Sequence, residues 1–184
     1  MFLKIRPKAI VSNIREIVFG LEDSLVSTLG AVTGIAAGAQ NTYMVILAGL
    51  TLIAVEASSM AAGSYLSSKS YAAAQTSALN NKHKDCEHVL VQPIRAGLVM
   101  GVCYFAGGFV PLLPYFLLPI KDSYLPSILA TVAVLYLLGV WSAKYTKRSR
   151  VKSGLEMAGI SLGAAMLGYG VGRLVSYYFG VDLP

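Results

Sequence analysis

Three carboxylates and the thioether of Met60 lie within the first two apolar stretches of the chain. Glu22 and Asp23 are adjacent, and Met60 follows Glu56 by four residues. A bare charge at the centre of a bilayer costs roughly 2.5–3.5 kcal/mol even on a lenient insertion scale, so these carboxylates must face a cavity, a partner or an ion. Carboxylate oxygens bind most divalent cations, whereas a thioether favours transition metals over magnesium and calcium. This set of ligands predicts a site for a divalent transition metal.

The spacing of these residues predicts that they converge. If both stretches are membrane-crossing helices, a rise of about 1.5 Å per residue places Asp23 and Met60 about 9 Å, and Glu56 about 15 Å, below the same surface. Glu56 and Met60 share one helix face. Carboxylates that bind a proton or a metal ion suit metal–proton exchange. Two alternatives stay open, since Met60 could simply pack in the bundle and Glu22 could snorkel to the surface.

A second group of metal-ligand types lies in a polar segment further along the chain. His83, Cys86, Glu87 and His88 fall within six residues. If that segment is helical, the first three share a face, and all four are metal ligands by type. Lysines and an aspartate are interleaved, and no established ligand spacing is matched, so a chance cluster in a polar loop is the alternative.

The elements that position these residues follow from the composition. Hydrophobic residues make up 55% of the 184 residues and charged residues 13%, whereas a soluble domain has about 25% charged residues. The apolar runs are long enough to cross a bilayer core. We therefore predict an all-α integral membrane protein, a single domain with a short cytosolic loop over residues 67–93. The predicted transmembrane helices lie at about 17–39, 43–66, 94–118, 124–143 and 154–178.

The distribution of basic residues predicts the orientation. All but Lys121 and Arg173 of the 15 basic residues lie on the side that holds the N-terminus. The positive-inside rule then makes the N-terminus cytosolic, and five spans place the C-terminus on the far side. Because the basic residues flank apolar segments, the net charge of +6 reports topology, and we expect lipid rather than nucleic acid as a partner.

Small residues recur at four-residue spacing in two helices. Gly30, Gly34 and Gly38 form a double GxxxG pattern in the first helix, and the fifth helix holds similar pairs. Such faces let helix backbones approach closely in lipid. The pattern predicts packing, either within one chain or between two. In the fifth helix, Ser153-x-x-Glu156 is a capping-box pattern that predicts the helix start.

No pattern in the chain favours an enzyme. Both histidines lie in one short segment, and no nucleophile triad or phosphate-binding loop is apparent. Two isolated cysteines do not make a disulfide framework. We predict no cofactor, so that a bound metal ion would be the transported substrate.

Two of these motifs resemble the vacuolar iron transporter family. Residues 15–27, Arg-Glu-Ile-Val-Phe-Gly-Leu-Glu-Asp-Ser-Leu-Val-Ser, resemble its first-helix signature. Residues 56–69 resemble its second-helix signature, a carboxylate four residues before a methionine and then Gly-x-Tyr-Leu. Residues 111–115 and the glycine-rich fifth helix also fit, so the resemblance covers nearly the whole chain. The long cytosolic metal-binding domain of some members has no room here.

The resemblance implies both an activity and an assembly. It implies five helices, a homodimer, and export of iron(II) or manganese(II) from the cytosol in exchange for protons. It assigns translocation-site roles to Asp23 and Met60, and it implies an ion path at the dimer interface. We expect a prokaryotic plasma membrane rather than a vacuolar one. The alternatives are a proton-coupled exporter of organic cations and a membrane scaffold that transports nothing.

Overall fold

The computed structural model describes residues 13–78 and 92–179, and all of its regular elements in these ranges are helices. Each of the five helices is long and apolar enough to cross a membrane. This confirms the predicted five-helix membrane architecture. The helices are α1 (Ile14–Ala39), α2 (Thr42–Ala78), α3 (Pro93–Leu117), α4 (Ile120–Thr146) and α5 (Arg150–Tyr178).

The first helix lies at the centre of the bundle. It packs against each of the other four helices, most extensively against α5 and α3, while α3 also packs along α2. One apolar core cluster joins α1, α2 and α3 through residues such as Val32, Ile53 and Leu112. A second joins α1 to α4 through Leu25 and Leu135. The central position of α1 explains why it carries so many small and polar residues.

The outer surface of the bundle is apolar and the interior holds many small hydroxyl side chains. Large hydrophobic residues such as Leu98, Leu137 and Met166 point outward. Ser24, Thr28 and other serines and threonines are buried. In lipid there is no hydrophobic drive to bury leucine, so close packing of small residues and hydrogen bonds hold the helices together.

Glycines bring α1 and α5 into backbone contact. A Cβ added at Gly34 would lie 2.6 Å from the carbonyl oxygen of Gly168, and one added at Gly38 would lie 3.1 Å from that of Gly172. Gly30 faces Ala164 in the same way. We call this contact the glycine seam. The double GxxxG pattern of α1 therefore packs against α5 within the chain, and its packing against a second chain stays a prediction.

Three helices, α2, α4 and α5, extend at least four residues beyond the predicted spans. Helix α2 runs to Ala78, so the first part of the segment predicted as a loop is helical, and its 37 residues correspond to about 55 Å. The fifth begins at Arg150, with Ser149 at its N-cap position. The capping-box prediction at Ser153 was wrong, because Ser153 lies inside the helix and Glu156 pairs instead with Arg148.

Candidate functional site

Glu56 lies where α1, α2 and α3 meet. Its Oε2 atom accepts a hydrogen bond from Ser27 Oγ of α1 at 3.2 Å and another from the hydroxyl of Tyr104 of α3. The two hydroxyl oxygens lie 2.7 Å apart. We call these three side chains the Glu56 cluster. It joins three helices through one carboxylate oxygen, which is how a membrane protein satisfies a charge-bearing group away from water.

Glycines of α3 let Tyr104 reach both neighbouring helices. A Cβ at Gly101 would lie 2.9 Å from the Cβ of Ala61 on α2, and a Cβ at Gly107 would overlap Ser24 Oγ on α1. Tyr104 lies between these two close approaches and is 0% exposed. Local packing of small residues therefore sets the position of its hydroxyl group.

The adjacent carboxylates of α1 face different parts of the bundle. Asp23 precedes Ser27 by one turn, is half-buried, and lies within electrostatic range of Glu56. Glu22 is also half-buried, and its electrostatic neighbours are Asp23 and Glu156 of α5. Asp23 thus lies one helical turn from Ser27 of the Glu56 cluster, whereas the charge that Glu22 senses from another helix is that of Glu156 on α5.

Met60 lies one turn from Glu56 on α2, toward the end of the bundle where α1 begins. The Ser27–Glu56 contact fixes the register of α1 against the antiparallel α2. Asp23 lies one turn from Ser27 toward that end, and Met60 lies one turn from Glu56 toward the same end. This register agrees with the predicted equal depth of Asp23 and Met60. The side chain of Met60 lines a cavity of about 360 Å³ with residues of α1, α2 and α3, namely Arg15, Phe19, Gly63, Ser64, Ser67 and Met100.

One chain supplies few classical ligands at this place. Within residues 13–78 and 92–179, no group of three or more histidine, cysteine, aspartate or glutamate side chains is arranged to hold a metal ion. Instead, the hydroxyls of Ser27 and Tyr104 donate to Glu56, and the thioethers of Met60 and Met100 belong to the cavity of about 360 Å³, whose lining includes neither Asp23 nor Glu56. The second predicted cluster, His83, Cys86, Glu87 and His88, lies outside the described residues, so it stays a prediction.

Sequence reasoning missed three residues of this region. Ser27 follows Asp23 by four residues, so helical periodicity was a signal that could have found it. Tyr104 and Met100 carry no such signal. Their positions depend on how α3 packs between α1 and α2, which the spacing of residues along one helix does not contain.

The fold and the site define an integral membrane protein whose five-helix bundle holds a hydrogen-bonded carboxylate, Glu56, inside its spans. The model of the VIT family matches residues 14–90 and 81–173. The chain belongs to this family, as the resemblance of its first two helices indicated.

Three relatives show how similar the chain is to other proteins. An uncharacterized protein of Methanocaldococcus jannaschii is 29% identical over 85% of this chain and 86% of its own length. Vacuolar iron transporter 1 of Arabidopsis thaliana is 23% identical, covering 89% of this chain and 86% of its own. Vacuolar iron transporter 1 of Eucalyptus grandis is 21% identical, with 88% and 86% covered.

The lengths of these alignments confirm that the chain is a short form. The alignment with the Arabidopsis protein runs over 216 residues, although this chain has 184. The relative therefore carries residues that have no counterpart here. The alignment with the archaeal protein runs over 166 residues. The archaeal relative fits placement of this integral membrane protein in a prokaryotic membrane.

Proposed function

We propose that the protein transports a divalent transition metal ion, iron(II) or manganese(II), across the membrane. The observation that carries this proposal is the Glu56 cluster inside the membrane spans, with Asp23 one helical turn from Ser27 and within electrostatic range of Glu56. Met60, one turn from Glu56 on α2, is expected to add a thioether at the depth of Asp23. Hard oxygen ligands beside a soft thioether favour a transition metal over magnesium or calcium. The plant relatives are named as iron transporters, and these names also support a transition metal as the substrate.

We infer that transport is coupled to protons and directed out of the cytosol. A carboxylate must lose its proton before it binds a metal ion, so metal binding and proton release are linked at Asp23 and Glu56. The basic residues favour a cytosolic N-terminus. With that orientation, the cavity beside Met60 lies on the cytosolic side of the Glu56 cluster, because Arg15 at the start of α1 and Ser67 line it.

We propose that two copies of the chain complete the transport site. An apolar groove of about 920 Å³ runs along α1 and α5, and Ser27 of the Glu56 cluster lies in its wall. Because a single chain brings only two of these carboxylates together, a second copy in the groove would add its own pair beside the first. An Ala31→Cys variant, placed in the groove, is expected to cross-link between copies in membrane vesicles. A Leu137→Cys variant on the exposed face of α4 is the control that should not.

Uptake by purified protein in liposomes tests the transport proposal. We expect manganese(II) or iron(II) uptake that depends on an imposed proton gradient, and we expect Asp23→Ala to abolish it. Asp122→Ala is the matched control, because Asp122 is exposed in the first turn of α4, away from the site. Equal uptake of magnesium and manganese by the wild type, or unchanged uptake by Asp23→Ala, would contradict the proposal.

A further inference from the structure

Tyr104 is the fully buried member of the Glu56 cluster. Its ring is enclosed between α1 and α2, and its hydroxyl contacts both Glu56 Oε2 and Ser27 Oγ. A tyrosine buried in this way needs a hydrogen-bond partner for its hydroxyl, and here the partners belong to two other helices. The hydroxyl therefore has a fixed place relative to both α1 and α2.

The hydrogen bonds of the cluster converge on one oxygen of Glu56. The carboxylate is otherwise carried on a flexible side chain, and half-buried as it is, it has room for more than one rotamer. Two hydroxyl donors on Oε2 hold it on the side of α2 that faces Ser27, one turn from Asp23. Groups that orient a ligand in this way commonly affect metal affinity by 10–100-fold when removed.

We propose that Tyr104 is a positioning residue for the transported metal: its hydroxyl group fixes the Glu56 carboxylate in the orientation that faces Asp23 and the ion. This rests on the proposed transport function. The ring of Tyr104 packs the helices, whereas its hydroxyl oxygen serves the site. The two contributions can be separated, because phenylalanine keeps the ring and removes only the oxygen.

A second tyrosine on the same helix provides the matched control. Tyr115 is 1% exposed, and its hydroxyl has no hydrogen-bond partner within the described part of the chain. Tyr115→Phe removes the same atom from the same helix without touching the Glu56 cluster. Any general effect of losing a buried tyrosine hydroxyl from α3 appears in both variants, whereas an effect on the site appears only in Tyr104→Phe.

The experiment measures initial rates of manganese(II) uptake into liposomes over a range of manganese concentrations. We expect Tyr104→Phe to raise the half-saturating concentration about tenfold, with a maximal rate within about twofold of wild type, because removal of a group that orients a metal ligand weakens metal binding. Tyr115→Phe should match the wild type in both quantities. Ser27→Ala should shift the half-saturating concentration in the same direction by a smaller factor, since Tyr104 still donates.

The outcomes separate this inference from the proposed function. If the wild type takes up no manganese or iron, the transport proposal fails. If the wild type transports and Tyr104→Phe leaves the half-saturating concentration unchanged, or lowers only the maximal rate, the positioning role is overturned. An equal effect of Tyr115→Phe overturns it as well. Should Tyr104→Phe fail to fold, Ser27→Ala decides, and a wild-type half-saturating concentration in that variant rejects the role.

Discussion

The central helix α1 makes two contacts that are built in opposite ways. Toward α5, the glycine seam brings two backbones together with no side chain between them. Toward α2 and α3, α1 presents Asp23 and Ser27, and the polar side chains fill the space between the helices. The first contact contributes close packing. The second contact keeps carboxylates inside the membrane. Such carboxylates lower stability unless they bind an ion.

This contrast predicts which substitutions affect folding and which affect transport. In the glycine seam, any added atom meets a backbone that cannot move without shifting a whole helix. In the Glu56 cluster, a changed atom alters hydrogen bonding and charge while the helices keep their positions.

Substitution of Gly168 is expected to have the largest effect. A Cβ at this position would overlap the carbonyl oxygen of Gly30, so Gly168→Ala forces α1 and α5 apart and should cost about 3 kcal/mol. Thermal unfolding in detergent and the yield of monodisperse protein measure this loss.

Gly163 is the matched control on the same helix. A Cβ there meets nothing within 4 Å, so Gly163→Ala should stabilise the helix by up to about 1 kcal/mol. Equal unfolding temperatures for the two variants would show that the glycine seam is not the close contact described above.

The adjacent carboxylates of α1 provide the second comparison. Asp23→Asn should lower the rate of manganese uptake at least tenfold, about 1.4 kcal/mol, because Asp23 is grouped with Glu56. Glu22→Gln should stay within about threefold of wild type, about 0.7 kcal/mol, since Glu22 lies toward Glu156 of α5. Uptake into liposomes measures the rates of both variants. A larger loss of uptake in Glu22→Gln than in Asp23→Asn would place the ion path on the α5 side of α1.

Much of the fold follows from the sequence, because apolar runs and basic flanks are local signals. The five helices were predicted from such patterns, and the family from the resemblance of the motifs in the first two helices. The carboxylates of the site were found because charges inside a span are costly. Tyr104 could not be found in this way. An apolar helix tolerates a tyrosine in many places, and only the packing of α3 between α1 and α2 shows that this hydroxyl contacts Glu56.

The ends of the helices could not be predicted from the sequence in full either. Hydropathy locates the part of a helix that lies in lipid, whereas the helix itself continues until a break in backbone hydrogen bonding ends it. The second helix therefore runs to Ala78, past the predicted span. For α5, the capping pattern at Ser153 competed with a helix start at Arg150, and continuation of the backbone hydrogen bonds prevailed.

Replacing the thioether of Met60 is expected to change the ion selectivity of transport more than the transport rate. Met60→Leu keeps the apolar volume that lines the cavity and should cost less than about 1.5 kcal/mol of stability. Without the soft ligand, the preference for manganese over magnesium should fall. Competition of magnesium with manganese uptake measures the change. Met166→Leu, on the exposed face of α5, should leave the preference unaltered, and an unaltered preference in Met60→Leu would remove the thioether from the site.

The smallest effect is expected at the ion pair between Arg148 and Glu156, which lies outside both contacts of α1. The two side chains are 62% and 54% exposed, and their closest N–O distance is 3.4 Å. An exposed pair of this kind contributes about 0–1 kcal/mol, so Arg148→Gln should lower stability by less than about 0.5 kcal/mol. Glu156→Ala should have a similarly small effect, because the helix begins at Arg150 and Glu156 does not cap it. A loss of about 1 kcal/mol or more in Glu156→Ala alone is what a capping role would produce, and thermal unfolding of the two variants side by side distinguishes these outcomes.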